Sequence, residues 1–153
     1  MIIVQTAKNF QDIDVCIPKL EELVKTICQR FRVPAANVSI AIVDDAEMRE
    51  VNARFLKRGS ASDCLSFDLS DEAGLECSRS FELLVNGEIA VKEARLRGHS
   101  SEAELALYVT HGLLHNLGFD DSTPEQAKKM HATEDEILQE FGYGLVYNKK
   151  VRA

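Results

Sequence analysis

The segment from His111 to Asp121 constrains this 153-residue chain more than any other part of its sequence. His111 and His115 are four residues apart, a spacing that on a helix places both imidazoles on one face, one turn apart. Gly118 can end that helix in a left-handed conformation, and the following turn can then return Asp121 to the same face. Two imidazoles and a carboxylate suit zinc, and three protein ligands leave one coordination position for water. The spacing therefore predicts a catalytic metal site.

The other histidines and the residue between the pair bear on this interpretation. Of the four histidines in the chain, His99 in a loop and His131 in the last helix are interpreted as surface residues. Gly112 stands where the H-E-x-x-H motif of zinc proteases has its catalytic glutamate, which weakens a peptidase mechanism. The glycine fits either close approach of a substrate or tight helix packing, and the sequence leaves both open.

Length and composition place the chain in an ordinary class of proteins. A hydrophobic fraction of 45% and a charged fraction of 28% are typical of a globular protein, and we expect one domain over residues 1–153 with its last few residues mobile. The net charge of -7 does not by itself indicate a nucleic-acid partner. The cysteines form no C-x-x-C pair, and no segment resembles a signal peptide or a membrane span. We therefore expect a cytoplasmic protein with no membrane partner.

Hydrophobic periodicity predicts an α+β fold, with a small mixed sheet of about four strands, helices packed around it, and the metal helix lining a cleft. The residues from Phe81 to Val91 are predicted to be extended, with Asn86-Gly87 as either a hairpin turn or a bulge. Thr123 to Gln126 match a capping box that opens the last helix. The other strands are predicted over 2–5, 38–43 and 64–67, and the helices over 15–32, from 44 or 45 to 55, 102–117 and 124–141.

Three separate motifs resemble those of one known family, the YbeY-type endoribonucleases, which are ribosomal RNA maturation factors. The segment from His111 to Asp121 is similar to the family hallmark H-G-x-L-H-L-x-G-Y-D-H. Val51-Asn52 followed by residues 62–67 is similar to its L-N…T-D-V-L-S-F, and Gly87-Glu88-Ile89 is similar to its G-D-I. The resemblance covers roughly residues 38–143.

The resemblance implies a metal-dependent endoribonuclease that acts on single-stranded RNA. Its role would be maturation of the 3′ end of 16S ribosomal RNA and ribosome quality control, with ribosomal RNA and the small ribosomal subunit as partners. His111 and His115 carry over as ligands of one divalent metal ion, for which Zn²⁺ is the expected identity and Mn²⁺ or Ni²⁺ are alternatives. The resemblance implies no nucleotide cofactor.

Two positions depart from the family pattern. Asp121 stands where the family has its third histidine, and a carboxylate there lowers the charge of the metal centre, acidifies bound water less and favours a harder ion. Leu56 stands where the family has an arginine that faces the substrate. Arg54 or Arg58 can replace that arginine through a local shift of the loop, and Arg58 is the preferred candidate.

Three further residues complete the expected catalytic site. Arg58 would stabilise charge on the phosphate, and Ser66 is a candidate substrate contact, although ordinary strand packing explains this serine equally well. Asp120, or else Glu88, would not bind the metal but would hydrogen-bond to a metal ligand or to the attacking water and orient it. Two alternatives remain: a metallopeptidase-like hydrolase with the same ligand spacing, and a non-catalytic ribosome-assembly factor in which Asp121 marks an altered metal site.

Overall fold

The computed structural model describes residues 1–55, 62–70, 78–144 and 146–147. Within these ranges the chain contains four strands and five helices. Their order is β1 (Ile2–Lys8), α1 (Ile17–Arg30), β2 (Ala35–Val43), α2 (Asp45–Phe55), β3 (Cys64–Asp68), β4 (Ser78–Asn86), α3 (Gly87–Arg97), α4 (Ser101–Asn116) and α5 (Pro124–Glu140). The predicted mobile end of the chain, residues 148–153, lies outside the described residues.

The four described strands form one mixed sheet in the order β1-β2-β4-β3. β1, β2 and β4 run parallel, and β3 lies antiparallel to β4 at the edge of the sheet. Parallel neighbours need a crossover connection, which α1 provides between β1 and β2. These features confirm the predicted α+β fold with a small mixed sheet.

Helix α4 is the central element of the core. It contacts α1, α3 and α5, together with β3 and β4 of the sheet. Leu105, Val109 and Leu113 of the predicted apolar stripe are fully buried. The helix begins at Ser101, one residue before the predicted start, and the Ser100 hydroxyl caps it by accepting a hydrogen bond from the Ala103 amide at 3.1 Å. The histidine pair therefore lies near the end of a helix that is surrounded by other elements.

The prediction of extended structure from Phe81 to Val91 is wrong in its second half. The strand ends at Asn86, whose side-chain oxygen accepts a hydrogen bond from the Ile89 amide at 3.0 Å and so caps α3. A Cβ added to Gly87 would lie 2.8 Å from Cγ2 of Ile42 and 2.9 Å from a ring carbon of Phe10. The Asn-Gly pair is therefore a helix start packed against the sheet, rather than a hairpin turn or a bulge.

The ends of the last two helices follow the sequence prediction. Gly118 has φ 101°, its amide donates to the His115 carbonyl, and the Phe119 amide donates to the Leu114 carbonyl. This pair of bonds is a Schellman motif, and it ends α4 at Asn116, the residue after His115. The predicted capping box at the start of α5 is also present, formed by Thr123 and Gln126.

Candidate metal centre

His111 and His115 face each other across a short gap at the end of α4. Their Nε2 atoms are 3.1 Å apart. The Nδ1 of His111 lies 2.5 Å from Oε2 of Glu134, and the Nδ1 of His115 lies 3.1 Å from the Phe119 carbonyl oxygen. Because a carboxylate and a carbonyl only accept hydrogen bonds, each Nδ1 carries the hydrogen and each Nε2 keeps its lone pair. Two lone pairs that face the same gap favour a cation between them.

Asp121 supplies an oxygen donor to the same gap. Its Oδ2 is 3.6 Å from Nε2 of His111, and its Oδ1 is 3.7 Å from Nε2 of His115. Tetrahedral zinc ligands at about 2.0 to 2.2 Å from the ion are about 3.3 Å from one another. The observed separations lie close to that value, so these three residues fit a single divalent ion. All three side chains are partly exposed, which leaves such an ion open to solvent.

Asp120 shapes the turn that carries Asp121. Its Oδ1 accepts the Asp121 amide and its Oδ2 accepts the Ser122 hydroxyl, each at 2.8 Å. The hydrogen bond from Ser122 lowers the pKa of the exposed Asp120 carboxyl. The described contacts of Asp120 therefore hold the turn in shape, which places Asp121 near the histidines.

Glu134 and His131 belong to this centre, although the sequence did not indicate them. Glu134 is fully buried on α5, and its Oε1 lies 2.7 Å from Nδ1 of His131 while its Oε2 contacts His111. The prediction that His131 is a surface residue is wrong, because its side chain is mostly buried and its ring stacks on Tyr147 at 3.5 Å. The i, i+3 spacing of His131 and Glu134 was the available signal. It does not show which face of α5 meets α4.

The hydrogen bond to Glu134 also changes the acidity of His111. Burial lowers the pKa of His111, but the hydrogen bond and the negative charges of Glu134 and Asp121 outweigh burial and raise the pKa above its ordinary value. In the absence of a metal, His111 therefore retains its proton more readily than a histidine in water.

His99 is the second histidine that the sequence misplaced on the surface. Its side chain is 7% exposed, and its Nε2 lies 2.5 Å from Oε1 of the buried Glu104. Arg97 contacts the same oxygen at 3.4 Å. The three residues join the end of α3 to the start of α4 and lie outside the group formed by His111, His115 and Asp121.

A cavity of about 360 Å³ lies against His111 on the side of Glu134. Its lining is acidic, because the carboxyl groups of Asp63, Glu93, Glu104 and Glu134 face one arginine, Arg97. Burial raises the pKa of the Asp63 carboxyl, and the charges of Glu104 and Glu93 raise it further. The excess of carboxyl groups disfavours a phosphate group on this side of the centre.

The strand β3 lies directly against α4. A Cβ added to Gly112 would lie 2.6 Å from Sγ of Cys64, 3.2 Å from Cδ2 of Leu83 and 3.6 Å from Cβ of Ser66. Of the two explanations that the sequence left open for Gly112, these distances favour tight packing. They also place Ser66 beside α4, next to the position that follows His111.

Among the residues that the structure describes, Glu88 does not join this centre. Arg58 and Leu56 lie outside the described residues. Two hydrogen bonds hold Ser62 and Asp63 in place. The side-chain NH₂ of Asn52 donates to the Ser62 hydroxyl at 3.0 Å, and the backbone N–H of Asn86 donates to the Asp63 carbonyl at 2.9 Å. Glu88 accepts a hydrogen bond from the Asp45 amide at 3.0 Å and lines a different cavity, of about 590 Å³.

The chain is similar in sequence to proteins of one known family. The family model described as "Endoribonuclease YbeY" matches residues 5–142. A protein of that name from Mycobacterium sp. (strain KMS) is 30% identical over 142 residues, which are 87% of this chain and 80% of the relative. Another, from Lysinibacillus sphaericus, is 32% identical over 72% of this chain and 76% of its own length. A third, from Myxococcus xanthus, is 34% identical over 74% of this chain, and the match spans 39% of that longer protein.

A solved structure has a similar fold. The solution structure of a protein from Thermotoga maritima superimposes with a TM-score of 0.58 at 24% identity, over 92% of this chain and 91% of that protein. Among the residues that the model describes, no helix combines the length and the apolar character needed to cross a membrane.

Proposed function

The chain belongs to the endoribonuclease YbeY family and is a hydrolytic endoribonuclease, and we propose that it cleaves ribosomal RNA at one divalent metal ion held by His111, His115 and Asp121. One observation carries the proposal: the Nε2 atoms of His111 and His115 are 3.1 Å apart. In each ring the other nitrogen, Nδ1, is already hydrogen-bonded to an oxygen acceptor, so both Nε2 lone pairs are free for an ion. Without a cation, the two lone pairs would repel each other or would need an extra proton between them.

We propose zinc as the ion, with manganese or nickel as alternatives. Imidazole nitrogen suits zinc, whereas the carboxylate of Asp121 also suits harder ions. When bound, the ion would polarise a phosphate oxygen and activate water for hydrolysis. The three ligands are all partly exposed, which leaves room for the RNA phosphate to approach.

The protein residues around the ion would bind and orient the RNA. Asp120 holds the turn that presents Asp121, and its hydrogen bonds to the turn support this role. Ser66 lies beside the metal helix, where its hydroxyl is a candidate contact for the RNA backbone. Arg58 is our candidate for a guanidinium that stabilises the charge on the phosphate, a role that opposes the acidity of the neighbouring cavity.

The biological setting is part of the same proposal. We propose that the chain acts as a single domain in the cytoplasm, on the 3′ end of 16S ribosomal RNA and in ribosome quality control, with the small ribosomal subunit as its partner. The family membership supports an RNA substrate.

The packing of Gly112 opposes the peptidase alternative. In the H-E-x-x-H motif a glutamate at this position supplies the general base. Here a Cβ at residue 112 would meet the Cys64 thiol at 2.6 Å, so the helix cannot accept a glutamate without moving away from β3. The assembly-factor alternative differs from our proposal in its metal content and is tested below.

The test is cleavage of RNA that carries the 3′ end of precursor 16S ribosomal RNA, with and without a chelator. We expect wild-type protein to cleave it, the chelator to abolish cleavage, and zinc to restore it. His115→Ala removes one ligand and should lose cleavage and bound metal together. The matched control is His99→Ala, because His99 is also a buried, hydrogen-bonded histidine but lies outside the metal group.

Equal cleavage by wild type and His115→Ala, or cleavage that the chelator does not affect, would contradict the proposal. A purified protein that binds small ribosomal subunits but holds no stoichiometric metal and cleaves no RNA would identify an assembly factor instead. Thermal melting of each variant separates loss of the ligand from loss of the fold.

A further inference from the structure

We propose that Glu134 is the positioning residue of the metal centre, which fixes the orientation and the tautomer of His111, and that His131 holds Glu134 in place. The inference rests on the proposed metal site of His111, His115 and Asp121. It assigns a role to two residues of α5 that would act on the ion only through another side chain.

The burial of Glu134 is the first step. The residue is fully buried, so water cannot satisfy its carboxylate. A buried carboxylate is costly unless both oxygens are paired. Here Oε2 lies 2.5 Å from Nδ1 of His111 and Oε1 lies 2.7 Å from Nδ1 of His131. The carboxylate is therefore held between two imidazoles and can turn towards neither without losing the other.

The tautomer of His111 is the second step. A neutral imidazole carries its hydrogen on one nitrogen, and the nitrogen with the lone pair is the one that binds a metal. Because Glu134 accepts a hydrogen bond from the Nδ1–H group of His111, the lone pair of His111 stays on Nε2, which lies 3.1 Å from Nε2 of His115. Without this acceptor, His111 can rotate or carry its hydrogen on Nε2, and either change weakens the metal site.

A second metal ion does not explain the same contacts. His111, His131 and Glu134 do bring three donor atoms within 4.8 Å of one another. The nitrogen–oxygen distances of 2.5 and 2.7 Å, however, are those of hydrogen bonds. Donors that share one tetrahedral zinc are about 3.3 Å apart. An ion on each side of His111 would also require an imidazole that has lost both hydrogens.

His131 is in turn restrained from the outside. Its ring stacks on Tyr147 with a centroid distance of 3.5 Å and an interplanar angle of 7°. Tyr147 is held by its backbone, because its amide donates to Asp135 at 2.9 Å and its carbonyl accepts from Arg97 at 2.6 Å. The stack keeps the Nδ1 of His131 directed at Glu134.

The experiment measures metal affinity in the purified, metal-free protein by zinc titration against a competing chromophoric chelator. We expect Glu134→Gln to weaken zinc binding by roughly 10- to 100-fold, the range for loss of such a partner. Glutamine keeps the size of the side chain, but its NH₂ group is a hydrogen-bond donor. It would face the Nδ1–H group of His111 or of His131, which is also a donor, so one of the two hydrogen bonds is lost. His131→Phe, which keeps the stack on Tyr147 but removes the hydrogen bond, should weaken binding by a smaller factor.

The matched control is Glu104→Gln. Glu104 is also a buried glutamate bonded to a histidine at 2.5 Å, but that histidine, His99, is not a proposed ligand. A general loss of rigidity would lower zinc affinity in both variants, whereas positioning lowers it only in Glu134→Gln. If Glu134→Gln does not fold, long-range ¹H–¹⁵N spectra of the wild-type protein at alkaline pH report the tautomer directly, and we expect hydrogen on Nδ1 of His111.

The outcomes separate this inference from the proposed function. Zinc affinity of Glu134→Gln equal to wild type, hydrogen on Nε2 of His111, or two bound equivalents of metal that fall to one in His131→Phe would each overturn the positioning role. If wild-type protein binds no divalent metal, or if His115→Ala binds it as tightly as wild type, the metal site itself is wrong. Weakened binding in Glu134→Gln with unchanged binding in Glu104→Gln supports the inference.

Discussion

Gly112 of α4 packs against Cys64 of β3: a Cβ on residue 112 would lie 2.6 Å from the Cys64 Sγ. Glycine at this position therefore sets the distance between α4 and β3. Since the neighbouring His111 is a proposed ligand and Ser66 lies on the same strand, this distance also sets the space between the metal site and the edge of the sheet.

We expect Gly112→Ala to destabilise the protein. Alanine favours a helix over glycine by about 1 kcal/mol, but overpacking costs roughly 1 to 3 kcal/mol, so we expect a net loss of about 1 kcal/mol. Cys64→Ala removes the atom that clashes, and the double variant should recover most of this loss. Chemical denaturation of the four proteins of this cycle measures the coupling. Additive effects of the two substitutions would contradict the packing explanation.

Asp121 should decide which metal the site prefers. Asp121→His replaces the carboxylate with a third imidazole, and we expect the ratio of zinc affinity to manganese affinity to rise roughly tenfold or more, because imidazole suits zinc and carboxylate suits manganese. Asp121→Asn, which keeps the size but removes the charge, should weaken both ions. Competition titrations with each metal measure the ratio, and an unchanged ratio in Asp121→His would show that Asp121 is not a ligand.

Arg32 should be a site of easy stabilisation. Helices α1, α4 and α5 end in the same pair of backbone hydrogen bonds, followed by a residue with positive φ. That residue is a glycine after α4 and α5, namely Gly118 and Gly142. After α1 it is Arg32, with φ 59°. A residue with a side chain pays roughly 1 to 2 kcal/mol to adopt the left-handed conformation, and glycine avoids this cost. Glycine loses more conformational entropy on folding, however, and this loss cancels part of the gain. We expect Arg32→Gly to raise the free energy of unfolding by about 0.5 to 1 kcal/mol. A lower melting temperature would contradict this account, and Gly142→Ala should show the opposite change.

The cysteines should differ in reactivity. Cys16 is exposed, whereas Cys28 is buried in α1 and burial raises the pKa of its thiol to about 11. The reactive species is the thiolate, so at pH 8 only about one Cys28 in a thousand is ionised, and the reagent must also reach it. We expect iodoacetamide to modify Cys16 in the native protein and Cys28 only in denaturant. Mass spectrometry of the digested protein checks this, and similar rates at both positions would show that α1 opens readily.

Local sequence was sufficient for those features that depend on neighbours along the chain. The i, i+4 spacing of His111 and His115 places them on one helical face, and the left-handed turn at Gly118 follows from the absence of a side chain. The capping box at Thr123 is likewise a local pattern. The local pattern gave a wrong prediction at Asn86-Gly87, because the same dipeptide occurs in hairpin turns and at the start of helices. Packing of Gly87 against Ile42 and Phe10 favours the helix here.

The partners of the histidines were decided only by tertiary structure. Glu134 reaches His111 across 23 positions of sequence, and His99 meets Glu104 because α3 and α4 pack together. Periodicity identifies which residues of a helix share a face, but the burial of that face depends on elements distant in the chain. The sequence by itself therefore determined the fold class and the proposed ligands, and the packing of α5 on α4 determined which carboxylate stands behind them.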